Sequence, residues 1–192
     1  MILNLLHSPN SLTDEQLMQR VADKGDDRAF DVLYHRHSRS LMGLLYRQLH
    51  QDEARAADLM QDAFMRVWAG RQRYAPGSSF RTWLFSIAYN LIKNEYRHDE
   101  HVSEYELHVM QSSTEGQDDD FDVRLDNETF DRALRLELEK LSPPQRMLFS
   151  LRFEEELSVS EIARIMDIPE GTVKSRQYKL VQTLKQRLKE YE

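Results

Sequence analysis

The sequence predicts an all-α protein made of two small helical domains joined by a flexible acidic linker. Three observations carry that expectation. Apolar residues recur at helical spacing in both halves, and nothing alternates persuasively as a strand. A polar, acid-rich stretch with few apolar residues lies between the halves. Near the C-terminus two short helical patterns flank a tight turn. We expect a flexible N-terminus over 1–11, a first domain over 12–99, a linker over 100–128 and a second domain over 129–192.

In the first half, Leu12 to Val21, Ala29 to Leu49, Ala54 to Trp68 and Ser79 to Tyr96 have the periodicity and length of ordinary helices. Leu59, Met60, Ala63, Phe64 and Val67 form the inward side of the third. Its other side carries Asp58, Gln61 and Asp62. Two carboxylates one turn apart repel each other in an isolated helix, so they suit a solvated surface or a docking face for a basic partner. No histidine or glycine-rich loop accompanies them, which argues against paired catalytic carboxylates. The loop Tyr74 to Ser79 has turn chemistry, with Pro76 and Gly77 at its centre and Arg73 and Arg81 on its flanks. In the fourth helix Phe80, Trp83, Leu84, Ile87, Ala88 and Leu91 share the core side. Thr82, Ser86, Tyr89, Lys93 and Tyr96 share the opposite, exposed side, where aromatics interleaved with a base suit the unstacked bases of a single strand.

His108 to Asp122 is too polar to bury itself. Periodicity returns near Phe130 with Leu134, Leu138 and Leu141 on one face, and Ser142-Pro143-Pro144 punctuates before a helical run over Gln145 to Phe153. Ser158 stands three residues before Glu161, a capping box that satisfies two orphan amides, and Val159, Ile162, Ala163 and Met166 supply the apolar face that follows. Asp167 to Gly171 breaks this helix and starts another, Pro169 suiting a first turn. The helix from about Thr172 to Lys189 carries six bases and no acid. At about 100° per residue, Val173, Gln177, Leu180, Val181, Leu184 and Leu188 face the core. Lys174, Ser175, Tyr178 and Lys179 point outward, offering two cations, a hydroxyl and an aromatic edge to a major groove. Arg176 lies on the flank, placed for a phosphate or a neighbouring helix.

Charge is segregated. The chain has 26 Lys and Arg against 33 Asp and Glu, a net charge of −7. Between Asp99 and Asp131 there are twelve acids and one base, Arg124, whereas from Ala63 to Asn94 there are five bases and no acid. Such a chain should bind DNA weakly when alone, because phosphate neutralisation supplies most non-specific affinity. That points to a protein that reaches DNA with help. With no cysteine, disulfides and thiolate metal sites are excluded. The opening Met1 to Leu6 lacks the basic n-region of a secretory signal, no apolar run reaches about 20 residues, and a cytoplasmic location is expected.

The ordered set DLMQDAFMRVW (58–68), SFRTWLFSIAYNLIKNEYR (79–97), an acidic linker, LSPPQRMLFSLRF (141–153) and LSVSEIARIMDIPEGTVKSR (157–176) resembles an extracytoplasmic-function sigma factor of RNA polymerase over roughly residues 12 to 189. The resemblance implies a region 2 that binds the polymerase core and melts the downstream promoter element, and a region 4 that reads the upstream element as duplex. It implies that Asp58, Gln61 and Asp62 meet the clamp helices of the polymerase's largest subunit, and that region 4 meets the flap. The loop Tyr74 to Ser79 and Asn90 would surround a flipped-out base; Arg81, Tyr89, Lys93 and Arg97 would complete the downstream set, with Trp83 nearby on the core side. Thr172, Lys174, Ser175, Arg176, Tyr178 and Lys179 would read the upstream element. The linker would thread toward the product channel. An anti-sigma factor is implied as a partner, and no cofactor or metal. Two departures are visible: KSRQYKLVQ has fewer arginines than the family's usual run, and Asn94-Glu95-Tyr96 stands where many members have an aspartate.

Two rivals belong to other classes. An autonomous helix-turn-helix regulator would explain 157–179 but not the aromatic-basic helix or the acidic face, and it would ordinarily dimerise on two half-sites. A zinc enzyme or metal sensor would have to use His35 with His37 or His98 with His101, without cysteine and without an H-E-x-x-H run.

Overall fold

The structure, a computed structural model, describes residues 11–107 and 127–189, with side chains over 11–97 and 130–189. The expected linker therefore lies largely outside the described residues, as do residues 1–10 of the expected N-terminal segment. The described residues are helical, in the order α1 (Asp14–Lys24), α2 (Asp27–Gln48), α3 (Glu53–Ala69), α4 (Phe80–Leu107), α5 (Asn127–Glu139), α6 (Pro143–Phe149), α7 (Val159–Met166) and α8 (Glu170–Leu188).

Local chemistry sets most helix starts. Thr13 and Gln16 form a reciprocal capping box at α1, Asp26 accepts from the Ala29 amide at α2, and Asp52 accepts from the Arg55 amide at α3. Gly25 ends α1 at φ 61°, a left-handed position that carries no Cβ penalty in glycine. In the second half, Ser142 with Gln145 and Ser158 with Glu161 repeat the box at α6 and α7. Several boundaries shift by a few residues from expectation, and two of the differences have a local cause. Helix α4 continues past Tyr96 to Leu107, because no glycine or proline interrupts 97–107. Helix α6 starts at Pro143, whose fixed φ suits a first turn, and passes at Ser150–Glu154 into a turn of π-helix.

Helices α1 to α4 close a bundle over Leu17, Leu33, Leu41, Leu44, Leu45, Phe80, Leu84 and Phe85, each essentially inaccessible to water. Burying each of these contributes about 1.5–3 kcal/mol relative to exposure. Met147, Leu148, Leu151, Ile162, Val173 and Leu180 continue that core among α6, the π turn, α7 and α8. Helix α5 lies along α8, where Arg187 donates to Glu137 at 3.2 Å. The two bundles touch: α7 packs across α4, and α6 meets α2. No described helix is long and apolar enough to cross a membrane.

Candidate nucleic-acid interface

Helix α8 presents the outer face expected from its periodicity. Val173, Leu180, Leu184 and Leu188 are buried, whereas Lys174, Ser175, Arg176, Tyr178 and Lys179 are exposed and Thr172 is half-buried. Tyr178 is 68% exposed, a large ring held in water on a helix that has apolar surface to spare elsewhere. The helix pair is rigidly set. The Ser158 hydroxyl accepts from the Glu161 amide at 3.3 Å, and the Ser158 amide donates to the Glu161 carboxylate at 2.9 Å. The Ser158 hydroxyl bond, opposed by partial burial and helped by Arg81 and Thr82, holds the Glu161 carboxyl below its usual range. The turn to α8 passes through Asp167 at φ 53°, a left-handed cap that donates its amide to the Ala163 carbonyl.

On α4 the expected core side is correct: Phe80, Leu84, Ala88 and Leu91 are buried, and Trp83 and Ile87 are half-buried. The expected exposed side needs correction. Thr82 is 7% exposed, and Ser86, Tyr89 and Tyr96 are half-buried; only Lys93 of that set is open to water. The cause is the second bundle. Helix α7 lies across this face, with Thr82 Oγ1 donating to Glu161 at 3.5 Å, and Arg146 of α6 donates to the Tyr96 hydroxyl at 3.3 Å. Burial pushes the Tyr89 hydroxyl up, with Arg176 of α8 opposing, so that flanking cation faces a neighbouring helix. Asn90 and Arg97 are exposed beside Lys93.

The loop before α4 is a tight turn. The Ser78 amide donates to the Ala75 carbonyl at 3.1 Å, and Gly77 at φ 79° occupies the position that demands positive φ. Tyr74 does not offer its ring to solvent: it is 6% exposed, packs at a tilt against Trp83 with ring centroids 5.3 Å apart, and donates its hydroxyl to the Ser78 carbonyl. Burial, reinforced by Glu15 and Asp14, pushes that hydroxyl up to about 12. Tyr74 thus braces the loop from beneath, whereas Ser79 caps the next turn by accepting from the Thr82 amide at 3.2 Å. Arg81 is half-buried, 5.4 Å above the Phe85 ring.

On α3, Asp58 and Gln61 are exposed, and Asp62 is bound by both guanidinium donors of Arg66 at 3.0 Å. That i,i+4 pair relieves the repulsion between the two carboxylates. Beside them Phe30, Tyr34, Met60, Phe64 and Trp68 line an open apolar groove, with Met65, 62% exposed, on its rim. The groove comes from aromatic packing that the acidic pattern did not disclose: Phe30 meets Trp68 at 5.1 Å, and Tyr34 meets Phe64 at 4.7 Å.

Of the histidine pairs considered for metal, His35 and His37 do not converge. His37 is buried and bonded to Asp14 at 2.5 Å, its ring 5.2 Å from Phe80, while its neighbour His35 is exposed. The side chains of His98 and His101 lie outside those described.

A residue that sequence reasoning passed over ties the bundles together. Glu155, 8% exposed at the end of the π turn, accepts from Ser40 Oγ at 2.5 Å and from Arg81 at 2.6 Å, with Arg47 at 3.6 Å. Its signal was the acidic run Glu154-Glu155-Glu156 directly before the helix pair.

Comparison with known proteins adds to this geometry. Residues 33–101 match the family Sigma-70 region 2, and residues 131–187 match Sigma-70, region 4. The chain is 35% identical over 176 residues to the RNA polymerase sigma-H factor of Pseudomonas aeruginosa, covering 85% of this chain and 87% of that one. It is 33% identical over 178 residues to the RNA polymerase sigma factor CarQ of Myxococcus xanthus (91% and 97%). It is 31% identical over 173 residues to the ECF RNA polymerase sigma-E factor of Haemophilus influenzae (86% and 89%). Among solved structures, CnrH in complex with the cytosolic domain of CnrY matches with a TM-score of 0.67 at 23% identity, covering 93% of this chain and 99% of that one. The sigma factor RpoE in complex with the anti-sigma factor NepR from Bartonella quintana matches at 0.60 and 24% identity (82% and 96%).

Proposed function

Since this chain belongs to the extracytoplasmic-function sigma factors, which direct promoter-specific initiation by RNA polymerase, we propose that it acts through three separate surfaces and by binding alone. Lys174, Ser175, Tyr178 and Lys179, with Thr172 and Arg176 at the edges, read the upstream promoter element as duplex. Ser79, on a loop braced by Tyr74, and Arg81, Tyr89, Asn90, Lys93 and Arg97, on α4, receive the non-template strand of the downstream element. Asp58, Gln61 and Asp62 face the basic clamp helices of the polymerase's largest subunit, and region 4 meets the flap. The boundaries 12–99 and 129–192 divide these tasks, with 100–128 between them. The chain works in the cytoplasm and is held in check by an anti-sigma factor, as the RpoE of Bartonella quintana is bound by NepR.

The observation that carries this assignment is the outer face of α8, where every side chain chosen for the major groove except the half-buried Thr172 is exposed while the alternate face is core. Melting follows from binding energy: flipping a base costs a few kcal/mol, and stacking on one aromatic ring returns about 1–3 kcal/mol. Sigma factors are initiation factors rather than enzymes, and nothing in this mechanism needs a reacting group. The test is transcription from a panel of promoters by purified polymerase core, with and without this protein, beside a gel shift of the protein alone. Specific initiation with little shift by the free chain supports the assignment. A tight specific shift without polymerase and no initiation would replace it with an autonomous regulator.

A further inference from the structure

We infer that the cavity between α2, α5 and α6 binds a small phosphorylated ring compound, of the size and chemistry of a mononucleotide, with Arg146 and Arg135 on its phosphate. This goes beyond the sigma-factor assignment and does not depend on it, because binding is read on the free chain. The cavity encloses about 720 Å³. Sites for small organic ligands run from roughly 300 to 1,000 Å³.

Arg146 is the residue that asks for a ligand. It is 6% exposed, yet no carboxylate pairs with it among the described residues. One of its amino groups meets the Tyr96 hydroxyl at 3.3 Å and lies 3.5 Å from His50 Nε2. The Tyr96 hydroxyl spends its own proton on the Gln48 carbonyl, at 2.5 Å, and so serves Arg146 as a neutral acceptor. A buried guanidinium facing such partners lacks a counter-charge, and leaving one so is costly. Among the described residues, the buried side-chain atoms without a hydrogen-bond partner are Arg47 Nε, Gln48 Oε1 and Arg146 Nε. All three belong to this junction: both arginines line the cavity, and Gln48 donates to Ser150, which also lines it.

The carboxylates nearby do not supply the missing charge. Glu154 is held by Arg47 at 2.7 Å, and Glu139 is exposed on α5. Arg135, exposed on the same helix, has no ion pair among the described residues. A phosphate between Arg135 and Arg146 would take the charge-assisted bonds that guanidinium groups offer it most readily. His50 and Gln51, at φ 53° and 65°, both line the cavity in a backbone conformation that residues with a Cβ rarely adopt. A phosphate alone would leave most of the space empty. Tyr46, Leu138 and Phe149 give the remainder an apolar wall with two aromatic rings, on which a planar base can stack.

The test is isothermal titration calorimetry on the full-length protein at fixed ionic strength, with AMP, GMP, their nucleosides and sodium phosphate as probes. One mononucleotide should bind saturably with a Kd below about 1 mM, and about ten-fold more tightly than its nucleoside or inorganic phosphate. Arg135→Glu should weaken it about five-fold or more. Arg28→Glu, exposed at the far end of α2, changes the net charge equally and should leave affinity within about two-fold. Tyr46→Ala should weaken the nucleotide and leave inorganic phosphate unchanged. Arg146→Gln should abolish binding; if it does not fold, Arg135→Glu and Tyr46→Ala, both at exposed positions, decide. Mononucleotides that bind no better than inorganic phosphate, or equally to parent and Arg135→Glu, would overturn the site. So would equal losses in Arg135→Glu and Arg28→Glu, which would show attraction to overall charge. Polymerase is absent from every arm, so failure here leaves the sigma assignment standing, and failure to initiate leaves this site standing.

Discussion

Arg81 and Glu155 stand 74 positions apart in the sequence and 2.6 Å apart in the fold. One belongs to the segment matched as region 2, the other to the segment matched as region 4. The cation assigned to DNA is therefore already occupied by a carboxylate that is itself nearly inaccessible to water. A net charge of −7 discourages DNA over the whole surface, and this pair discourages it at the site. Both effects favour a protein that engages promoters only as part of a larger complex.

Upstream recognition should separate from polymerase binding. Tyr178→Ala and Lys174→Ala remove side chains that project into water from α8, so neither disturbs the core formed by Val173, Leu180 and Leu184. Loss of one base-edge contact costs about 1–3 kcal/mol, roughly five- to 150-fold in promoter affinity of the assembled holoenzyme. Binding to core polymerase, measured by fluorescence anisotropy, should stay within about two-fold of the parent. Equal loss of core binding in both variants would show that α8 does not have this separate task.

The acidic face of α3 gives the opposite separation. Asp58 is exposed, and Asp62 is held in an exposed pair with Arg66, a kind of pair that contributes at most about 1 kcal/mol to stability. Asp58→Lys should leave the melting temperature within a few degrees and weaken assembly with core by about ten-fold or more, because opposed charges at a rim govern encounter. The weakening should shrink as salt is raised toward 0.5 M. A salt-independent loss would point to the apolar groove beside Phe64 and Trp68 instead.

Much of this fold was legible because its causes are local. The capping box of Ser158 and Glu161 and the alternation of exposed and buried positions along α8 are written within a few residues. So, unnoticed, were the boxes of Thr13 with Gln16 and Ser142 with Gln145, which follow the same spacing rule. The family resemblance supplied what periodicity alone could not, namely which residues to propose for DNA and for polymerase. What failed was long-range. Helical spacing places Thr82 and Tyr89 opposite the core of their own bundle, but it cannot say that a second bundle covers them. The bracing role of Tyr74 was not legible for a related reason: a loop position does not reveal that Trp83 and the Ser78 carbonyl claim its ring and hydroxyl. The π turn has no pattern of its own, so the delivery of Glu155 was invisible.

Tyr74→Phe isolates the bracing role. The ring keeps its packing on Trp83, and only the hydrogen bond to the Ser78 carbonyl is lost. Such a bond contributes about 0.5–1.5 kcal/mol, so the melting temperature should fall by a few degrees at most. Loosening of the loop around Gly77 should slow promoter opening, followed by permanganate footprinting, while duplex capture of the upstream element is unchanged. A variant that opens promoters at the parent's rate would mean the loop holds its shape without the phenol.

Acid stability should trace to the first helix. Asp14 of α1 joins His37 at 2.5 Å and Arg36 at 2.6 Å on α2. The His37 hydrogen bond, against the cost of partial burial and with help from Arg36, holds its carboxyl below the ordinary 3.8. The folded value is the lower one, so the unfolded chain binds the proton first as pH falls. The stabilisation is therefore complete above 3.8 and disappears as pH drops through the depressed folded value. Asp14→Asn should cost about 1–3 kcal/mol at neutral pH, the range for a hydrogen bond to charged groups. Once pH falls below the depressed folded value the parent's carboxyl is protonated too, and urea unfolding of parent and variant should converge. A gap that does not narrow as pH falls below 3.8 would mean that Asp14 stabilises the fold through shape rather than charge.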